Sequence, residues 1–584
     1  MSIDHQSREE KKQQRREDKA IRREEKEIKR KLHREEKEYK REEKLKYKEE
    51  KRHKIKERKI KFRRAMASLF KTILSYILQL FHILLDKLLE LVLTSYWGPK
   101  KTCPPINGDK VITKSAVELA RMIREKKISS HDLCKLYVDR MKDIHSYLNA
   151  AVEGPFQEAL DQAKELDERI SSGKISEDEF SEKPFLGVPF TCKESTAVKG
   201  KLHTLGLISR RNIRAKEDAE CVRLMKEAGA IIIATSNIPE VNKWIESRNL
   251  LYGQTNNPYD QRRSVGGSSG GEAALISSCC TAFGLGTDIG GSIRIPAFCC
   301  GIFGHKATTG TIDMRGCTFR TGKEMSTMVT AGPMTRFSSD LRPLLKVLVG
   351  PTNSIKLKLD EPVDVKQLKY YYIPQNNMLQ CNPISKEAQK VMFKVCEHFY
   401  ELTGSKVTLA ELPGIEKTAN MWRYWMTQEP ADFNALLGNG VTLNPFVELG
   451  KKLIGKSEFT MAAIYSLIDA ILPKENETKI REVTRKCDEA LTNLLGEDGI
   501  LFYHSSPRTT PLHYYPLIKF NDFHYFSIFN VLKVPVTQVP LGLSSDGLPL
   551  GIQVIATRNR DSDCIAVAEE LEKAFGGWVS PSLN

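Results

Sequence analysis

Two glycine-rich stretches decide how this chain is read: Ser-Val-Gly-Gly-Ser-Ser-Gly-Gly-Glu at residues 264–272 and Gly-Thr-Asp-Ile-Gly-Gly-Ser-Ile-Arg at residues 286–294. Each places a serine among glycines, at Ser268 and Ser292. Upstream, Pro-Phe-Thr-Cys-Lys-Glu at residues 189–194 supplies Lys193, 75 positions before Ser268. A serine nucleophile needs a base and donors for the oxyanion that forms on attack. This set of residues therefore predicts an acyl-transfer site that does not require histidine.

Ser292 is the predicted nucleophile. A lone Gly-Gly-Ser is more typical of a turn, but here it accompanies the other two motifs. Glycine lets the backbone approach a substrate closely, so successive N–H groups can converge on one oxygen. Each such donor contributes roughly 2.7–4 kcal/mol in the transition state. The predicted oxyanion donors are the backbone amides of Ile289, Gly290, Gly291 and Ser292.

Lys193 is the predicted base, with Ser268 relaying the proton. Deprotonating an ordinary lysine at neutral pH costs roughly 4.6 kcal/mol, which burial can offset by lowering the pKa by roughly 3–5 units. Lys193 closely follows the apolar run at residues 185–190, as at the end of a buried strand. We expect Ser269 to support the lysine. Asp288 and Arg294 are predicted to brace the loop as an ion pair, with an ordinary surface pair as the alternative.

A competing motif overlaps the first serine. Residues 266–270 also satisfy G-x-S-x-G, the nucleophile elbow of α/β-hydrolases, which uses a histidine base and follows a hydrophobic strand. The preceding Pro-Tyr-Asp-Gln-Arg-Arg at residues 258–263 makes a poor strand, although His504, His513 and His524 lie downstream. This pattern therefore favours the serine–serine–lysine interpretation.

Together, Lys193, Ser268 and Ser292 in these contexts resemble the amidase-signature family, from about Lys114 to the C-terminus. Further similar stretches are residues 301–306 and 547–553, with Ala307 standing where the family usually has proline. Residues 256–260 and 576–579 are most similar to the branch of the family that hydrolyses fatty-acid amides. The resemblance implies a single large α/β domain with a central mixed sheet flanked by helices, and a cis peptide between Gly267 and Ser268.

The resemblance also implies a substrate: lipid amides such as N-acylethanolamines and primary fatty amides. We expect no cofactor and no metal. One alternative is an amidotransferase A subunit, a soluble glutaminase of the same family, and other small amides are a second. A third is an inactive scaffold that acts through its charged tail; the intact Lys193, Ser268 and Ser292 argue against it. The sequence leaves a homodimer open.

The N-terminal region is set apart by its charge. Residues 1–64 carry 28 Lys and Arg against 16 Asp and Glu, leaving 62 against 58 in the other 520 residues. Acid-before-base pairs at i,i+4 predict a solvated helix or a disordered tail. The nearly neutral body argues against nucleic-acid binding. A basic arm that touches RNA or anionic lipid is the alternative for the tail. The 13 scattered cysteines indicate reduced, buried thiols.

Residues 69–93 form a hydrophobic segment that predicts membrane association. Its uncharged core, residues 72–85, is short for the roughly 30 Å hydrocarbon layer. The polar residues recur at helical spacing along one stripe: Lys71, Ser75, Gln79, His82, Asp86 and Glu90. This pattern favours a helix lying in the membrane interface. We expect that membrane to be the endoplasmic reticulum or the surface of a lipid droplet. A spanning helix and a buried soluble helix remain alternatives. In residues 451–474, basic residues precede an apolar helix, which predicts a second membrane-facing element, or else a core helix.

Strand and helix signals are interleaved after Ser115, which predicts an α/β fold. The predicted divisions are a tail at 1–64, a membrane-associated helix at 65–97, a linker at 98–113 and the hydrolase domain at 114–584. Ser130 is the predicted N-cap of the second helix. The predicted strands are 185–192, 230–235 and 550–556, and the predicted helices are 116–127, 132–144, 218–228 and 565–575.

Overall fold

The computed structural model of the chain describes residues 3–106, 110–318, 320–322, 327–375 and 378–583. Residues 107–109 of the predicted linker and the side chains of Lys71 and Ser75 lie outside this part. The chain separates into two compact units, Met1–Leu80 and Phe81–Asn584. The unit that holds the sheet therefore begins inside the segment predicted to associate with the membrane.

The sheet in the second unit has eleven strands and is mixed, as predicted. The described residues form these strands, of which all but β4 and β5 belong to the sheet: β1 (Ala151–Glu153), β2 (Pro189–Lys193), β3 (Ile231–Ser236), β4 (Arg248–Asn249), β5 (Gly253–Gln254), β6 (Phe283–Asp288), β7 (Phe303–Lys306), β8 (Thr330–Thr335), β9 (Lys369–Ile373), β10 (Thr408–Leu409), β11 (Gly499–His504), β12 (Val536–Leu543) and β13 (Pro549–Ile555). Their order is β1-β3-β2-β6-β8-β7-β12-β13-β11-β9-β10, and β4 and β5 form a separate pair.

Seventeen α-helices lie among the described residues. They are α1 (Ile3–Trp97), α2 (Ala116–Arg124), α3 (Ser130–Leu148), α4 (Gln157–Ser171), α5 (Glu177–Glu182), α6 (Glu220–Glu227), α7 (Gly270–Ser277), α8 (Arg294–Cys299), α9 (Leu341–Lys356), α10 (Lys386–Thr403), α11 (Thr418–Met426), α12 (Phe433–Leu437), α13 (Pro445–Leu453), α14 (Met461–Ile471), α15 (Glu477–Leu495), α16 (His524–Val531) and α17 (Asp561–Phe575).

The central strands are buried along their whole length. Strands β2, β3 and β6 have no exposed residue, because helices and loops cover both faces of the sheet. Parallel strands buried on both faces are near-continuous apolar runs, as in Ile-Ile-Ile-Ala at the start of β3. Strand β2 pairs parallel with both β3 and β6. The carboxyl ends of these three strands consequently meet at one edge of the sheet, where the candidate site lies.

One local prediction is wrong, and another is refined. The N-cap of α3 is Ser129, not Ser130, because the Ser129 hydroxyl accepts the Asp132 N–H while Ser130 already has helical geometry. In residues 451–474, Lys451 and Lys452 lie at the end of α13, and the predicted apolar helix is the separate helix α14. Gly455 takes a positive φ of 71° that ends the first, and the Thr460 hydroxyl caps the second.

The segment predicted to associate with the membrane is helical to Trp97, which is the predicted boundary with the linker. None of the helices, over the part of the chain that the structure describes, has the length and apolar character needed to cross a bilayer. The charged residues of Met1–Leu80 are also helical, and their described side chains are almost all exposed.

Residues 81–97 place their polar stripe against the hydrolase unit. Asp86 accepts a hydrogen bond from Tyr515 at 2.6 Å and pairs with Lys519 at 2.5 Å. Glu90 pairs with Arg263 at 2.7 Å. The opposite face stays exposed: Leu84, Leu88, Leu91 and Val92 are 54–71% accessible. The polar face of this amphipathic helix is therefore the docked face, and its apolar face points to the surroundings.

Candidate active site

Lys193 lies at the carboxyl end of β2 with no accessible surface. Its Nζ is 2.9 Å from Ser268 Oγ and 2.9 Å from Thr287 Oγ1. Thr287 belongs to β6, the parallel neighbour of β2, so both side chains come from the same edge of the sheet. The structure therefore brings together the predicted base and the predicted relay serine, 75 positions apart in sequence.

The environment of Lys193 favours the uncharged amine. Burial lowers the pKa of Lys193 to about 7, although the nearby Asp288 carboxylate acts in the opposite direction. A lysine with a pKa near neutrality has a large fraction of free amine at physiological pH. The Lys193 amine can consequently accept a proton from a hydroxyl that it contacts.

Ser268 is fixed by close backbone packing. The Gly267–Ser268 peptide is cis, as the resemblance to the amidase-signature family implies. A Cβ on Gly267 would lie 2.5 Å from the carbonyl oxygen of Trp244, so only glycine fits at this position. Helix α7 begins two residues after Ser268, and the serine is almost fully buried.

The loop that carries Ser292 is organised by a buried ion pair. Arg294 donates from Nε and Nη2 to the Asp288 carboxylate, both at 3.1 Å, and neither side chain has accessible surface. Burial alone would raise the pKa of Asp288, but the Arg294 guanidinium lowers it to about 2. The predicted pair is thus present, and the surface-pair alternative is wrong.

The Asp288 carboxylate also binds one of the predicted oxyanion donors, so that prediction is wrong. The Gly291 N–H donates to Asp288 Oδ1 at 2.8 Å and is therefore engaged within the loop. The amides of Ile289, Gly290 and Ser292 have no hydrogen-bond partner among the residues that the structure describes. Three of the four predicted donors are consequently free to bind a substrate oxygen.

A second correction concerns Ser269. Its hydroxyl is buried and has no hydrogen-bond partner in the described part of the chain, so it does not bond to Lys193. The Ser269 N–H instead donates to the Ser292 carbonyl at 3.1 Å, which links the two serine loops. The lysine takes Thr287 as its second partner, a residue missed by the sequence analysis. The sequence signal that could have identified Thr287 is its position one residue before Asp288, on a strand parallel to the one that ends at Lys193.

A cavity of about 550 Å³ lies over these groups. Ser268, Thr287 and Ser292 line it, and Ser292 is half-buried at its wall. Most of the remaining lining is apolar or aromatic, including Trp244, Ile295, Trp422, Met426, Phe433 and Phe523. Ligand sites of this size and character combine apolar walls with a few placed polar groups. The cavity suits a long apolar substrate whose reactive group sits at the serines.

The structure does not support the nucleophile-elbow alternative. Residues 264–267 before Ser268 form no strand, and no histidine in the described ranges hydrogen-bonds to Ser268 or Ser292. His524 does line the cavity, but its Nδ1 lies 3.0 Å from Ser527 Oγ, and burial lowers its pKa to about 3. The only basic nitrogen seen bonded to one of the serines is Lys193 Nζ, within the part of the chain described.

Comparison with known proteins identifies the family to which the chain belongs. The family model described as Amidase matches residues 132–565, most of the chain. The chain belongs to the amidase-signature family, and it is an amide hydrolase.

Among curated relatives, fatty-acid amide hydrolase 2 of Homo sapiens is 38% identical over 499 residues, covering 83% of this chain and 93% of that protein. Fatty-acid amide hydrolase 2-A of Danio rerio is 39% identical, covering 82% of this chain and 91% of that protein. The chain is closely related to these two proteins. A solved structure of a fatty acid amide hydrolase superposes with a TM-score of 0.65 at 21% identity, covering 80% of this chain and 86% of that one. At that identity the superposition supports the fold alone.

Proposed function

We propose that this protein is a membrane-associated serine hydrolase that cleaves fatty-acid amides, N-acylethanolamines and primary fatty amides, to a fatty acid and an amine. One observation carries the proposal: a buried Lys193 amine contacts Ser268 at 2.9 Å, and Ser268 and Ser292 both line an apolar cavity. The substrate class is supported by the kinship with fatty-acid amide hydrolase 2 and by the apolar walls of the cavity.

The proposed reaction begins with proton transfer through the relay serine. The Lys193 amine takes the proton of Ser268, and Ser268 takes that of Ser292, whose oxygen attacks the amide carbonyl. The amides of Ile289, Gly290 and Ser292 bind the resulting oxyanion. The Lys193 ammonium then returns a proton through Ser268 to the leaving amine. Water entering the cavity hydrolyses the acyl-Ser292 ester by the same relay and releases the fatty acid.

A turnover panel tests the reaction class. We expect the full-length protein to hydrolyse oleamide and an N-oleoyl ethanolamide and to leave glutamine intact, because the apolar cavity binds an acyl chain. The products to be quantified are oleic acid and ammonia from oleamide, oleic acid and ethanolamine from the ethanolamide, and glutamate and ammonia from glutamine. Turnover of glutamine without turnover of either lipid amide would contradict this proposal and favour the amidotransferase A type of activity.

A variant of Thr287 tests the second contact of the lysine. Thr287→Val keeps the side-chain shape and removes the hydroxyl that accepts a bond from Lys193 Nζ at 2.9 Å. Losing an acceptor disfavours the ammonium form, so the acid limb of the pH–rate profile should move to lower pH. We expect kcat to fall about tenfold, in line with a hydrogen bond to a charged group worth about 1.5 kcal/mol.

Thr235→Val is the matched control for that experiment. Thr235 is a buried strand residue whose hydroxyl has no hydrogen-bond partner within the described ranges. Its replacement should leave both kcat and the pH profile close to wild type. An unchanged profile in Thr287→Val would mean that Thr287 does not influence the titration of the lysine.

Membrane association is supported by the surface of the hydrolase unit. Residues 81–97 dock through their polar side and leave Leu84, Leu88 and Leu91 exposed. On α13 and just beyond it, Phe446, Leu453 and Ile454 are 65–82% accessible. Soluble monomers rarely keep apolar side chains exposed in clusters. Amphipathic elements of this kind bind the interface by burying their apolar face in the acyl region.

Surface variants test this association. Replacing Leu84, Leu88 and Leu91 together by glutamine should reduce flotation with phosphatidylcholine vesicles severalfold, because each buried leucine contributes about 1.5–3 kcal/mol. Hydrolysis of a short soluble amide should stay near wild type, since none of the three lines the cavity. Ile355→Gln, at a site 77% accessible on α9, is the control for lost surface hydrophobicity. Equal flotation of the triple variant and the control would exclude this face as a membrane contact.

Deleting residues 1–97 is a coarser version of the test. It should release the protein from membranes more than it lowers hydrolysis of a short soluble amide. Because the deletion also removes Asp86 and Glu90, it leaves Lys519 and Arg263 without these partners. The glutamine variants are therefore the cleaner measurement.

A further inference from the structure

Four charged side chains line the active-site cavity: Lys243, Arg320, Arg423 and Asp469. All except Lys243 form ion pairs. Arg320 binds Glu429 at 2.8 Å. Arg423 binds Asp469 at 3.3 Å, and Glu475 at 3.2 Å. The fourth, Lys243, has no carboxylate within 4 Å among the residues that the structure describes. It is the one cation of the described wall that lacks a counter-ion.

Lys243 is half-buried beside aromatic side chains. Its Nζ lies 5.6 Å from the centre of the Phe433 ring, and Trp244 and Phe433 share the cavity wall with it. Burial lowers the pKa of Lys243, while the more distant Asp469 and Asp432 act in the opposite direction. An ammonium ion in such a setting is costly unless an opposite charge reaches it. An anionic group in the cavity would supply that charge.

The residues on either side of Lys243 are fixed by contacts to the rest of the hydrolase unit. The Asn242 amide donates to Ser195 Oγ and Thr318 Oγ1, at 2.8 and 2.9 Å. The Trp244 carbonyl on the other side packs against Gly267, the residue before Ser268. Lys243 is therefore carried on a braced segment that reaches the catalytic loop. A cation placed in this way acts on the ligand that occupies the cavity.

A second unused donor lies in the same wall. Arg320 is 7% accessible, and its Nη1 has no hydrogen-bond partner in the described ranges, while its Nη2 holds Glu429. Buried donors without partners are unusual in folded proteins. Within the described ranges, the cavity thus offers an ammonium and a guanidinium N–H that lack partners, and both suit an anionic oxygen.

We propose that Lys243 makes this cavity selective for lipid amides that carry a carboxylate, which it binds as a counter-ion. The inference rests on the proposed fatty-amide hydrolysis and specifies a substrate class for it. The carboxylate has two sources with the same chemistry. It belongs either to the amine portion, as in an N-acyl amino acid, or to the far end of the acyl chain, as in the monoamide of a dicarboxylic acid.

The test compares three substrates in matched variants. The substrates are N-oleoylglycine, N-oleoylethanolamine and the monoamide of a long-chain dicarboxylic acid, assayed in detergent micelles. Lys243→Met keeps the length of the side chain and removes its charge. We expect its kcat/KM to fall tenfold or more for one of the two carboxylate substrates and to change less than threefold for the ethanolamide. The substrate that loses activity identifies where the carboxylate lies.

Two further variants separate charge from structure. Lys243→Arg should retain most of the activity on the affected carboxylate substrate, because it keeps the positive charge. Lys199→Met, at an exposed lysine outside the cavity, should behave as wild type. An equal fall on all three substrates in Lys243→Met would assign a structural role to this lysine. No change on any of them would equally overturn the inference.

A binding measurement keeps this test separate from that of the proposed function. In Ser292→Ala, N-oleoylglycine binding can be titrated without turnover, alongside the dicarboxylic monoamide and the ethanolamide. Adding Lys243→Met to that background should raise the Kd of the selected carboxylate ligand about tenfold and leave that of the ethanolamide unchanged. Unaltered Kd values for both carboxylate ligands would overturn the inference even if fatty amides are hydrolysed. Absence of lipid-amide turnover in the wild type would instead contradict the proposed function.

Discussion

Ser292→Ala is expected to lower amide hydrolysis by about 10⁴-fold or more, since removing a serine nucleophile eliminates the acyl-enzyme route entirely. The same variant should no longer be labelled covalently by a fluorophosphonate. Ser292 is half-buried at the cavity wall, beside amides of Ile289 and Gly290 that are free to bind an oxyanion. The measurements are kcat on oleamide and the stoichiometry of labelling by intact-protein mass spectrometry.

Ser269→Ala provides the matched control. Its hydroxyl is buried in the neighbouring serine loop and has no hydrogen-bond partner in the described part of the chain. Its removal should change kcat less than threefold and leave labelling intact. If Ser292→Ala were still labelled, and the label mapped to Ser268, the roles of nucleophile and relay would be reversed.

Lys193→Met is expected to lower kcat by about 10²–10⁴-fold, the usual contribution of a general base. The side chain is similar in length, so the buried volume is largely preserved. The sign of the pH effect follows from the pKa of about 7. Below this pH the wild-type lysine is protonated and cannot accept a proton, so the wild-type rate should rise with pH and level off above about 7.

The variant should lack this pH dependence because no titrating amine remains. Measuring kcat from pH 5.5 to 9 for both proteins therefore separates a lost base from a general loss of structure, which would not remove the limb selectively. A wild-type-like curve in Lys193→Met would exclude the lysine as the base. Lys306→Met is a useful comparison: Lys306 is also fully buried, but its Nζ donates to the Val534 carbonyl at 2.7 Å and not to a serine.

Much of the site follows from local sequence. The glycines around Ser268 and Ser292 predict close backbone approach. The structure confirms this at Gly267, where an added Cβ would lie 2.5 Å from the Trp244 carbonyl oxygen. The apolar run before Lys193 predicts a buried strand end, which is where the lysine lies. The strands and helices predicted from apolar periodicity correspond to β2, β3, β13, α2, α3, α6 and α17, with boundaries shifted by a few residues.

The corrections arise where long-range contacts decide. Ser269 and Thr287 are both hydroxyl residues near the motif, and only the pairing of β2 with β6 places Thr287 against Lys193. The engagement of Gly291 depends on where the Asp288 carboxylate turns, which Arg294 fixes from the next helix. Local sequence cannot choose between partners that tertiary packing brings within 3 Å.

Long-range contacts also decide which face of the amphipathic helix packs against the protein. Periodicity identifies a polar and an apolar side over residues 69–93, but it does not say which side contacts the protein. Buried or half-buried partners from distant segments, including Lys519 and Arg263, draw Asp86 and Glu90 inward. The apolar side is left outside as a result.

The sequence by itself determines the residue types for the chemistry and their order along the chain, because glycine, serine and lysine carry their reactivity and backbone freedom wherever they lie. Only the tertiary structure decides which hydroxyls reach Lys193, which amides stay free and that Lys193 is fully buried. Those properties depend on distances between atoms far apart in sequence and on the exclusion of water, and both exist only once the sheet has assembled.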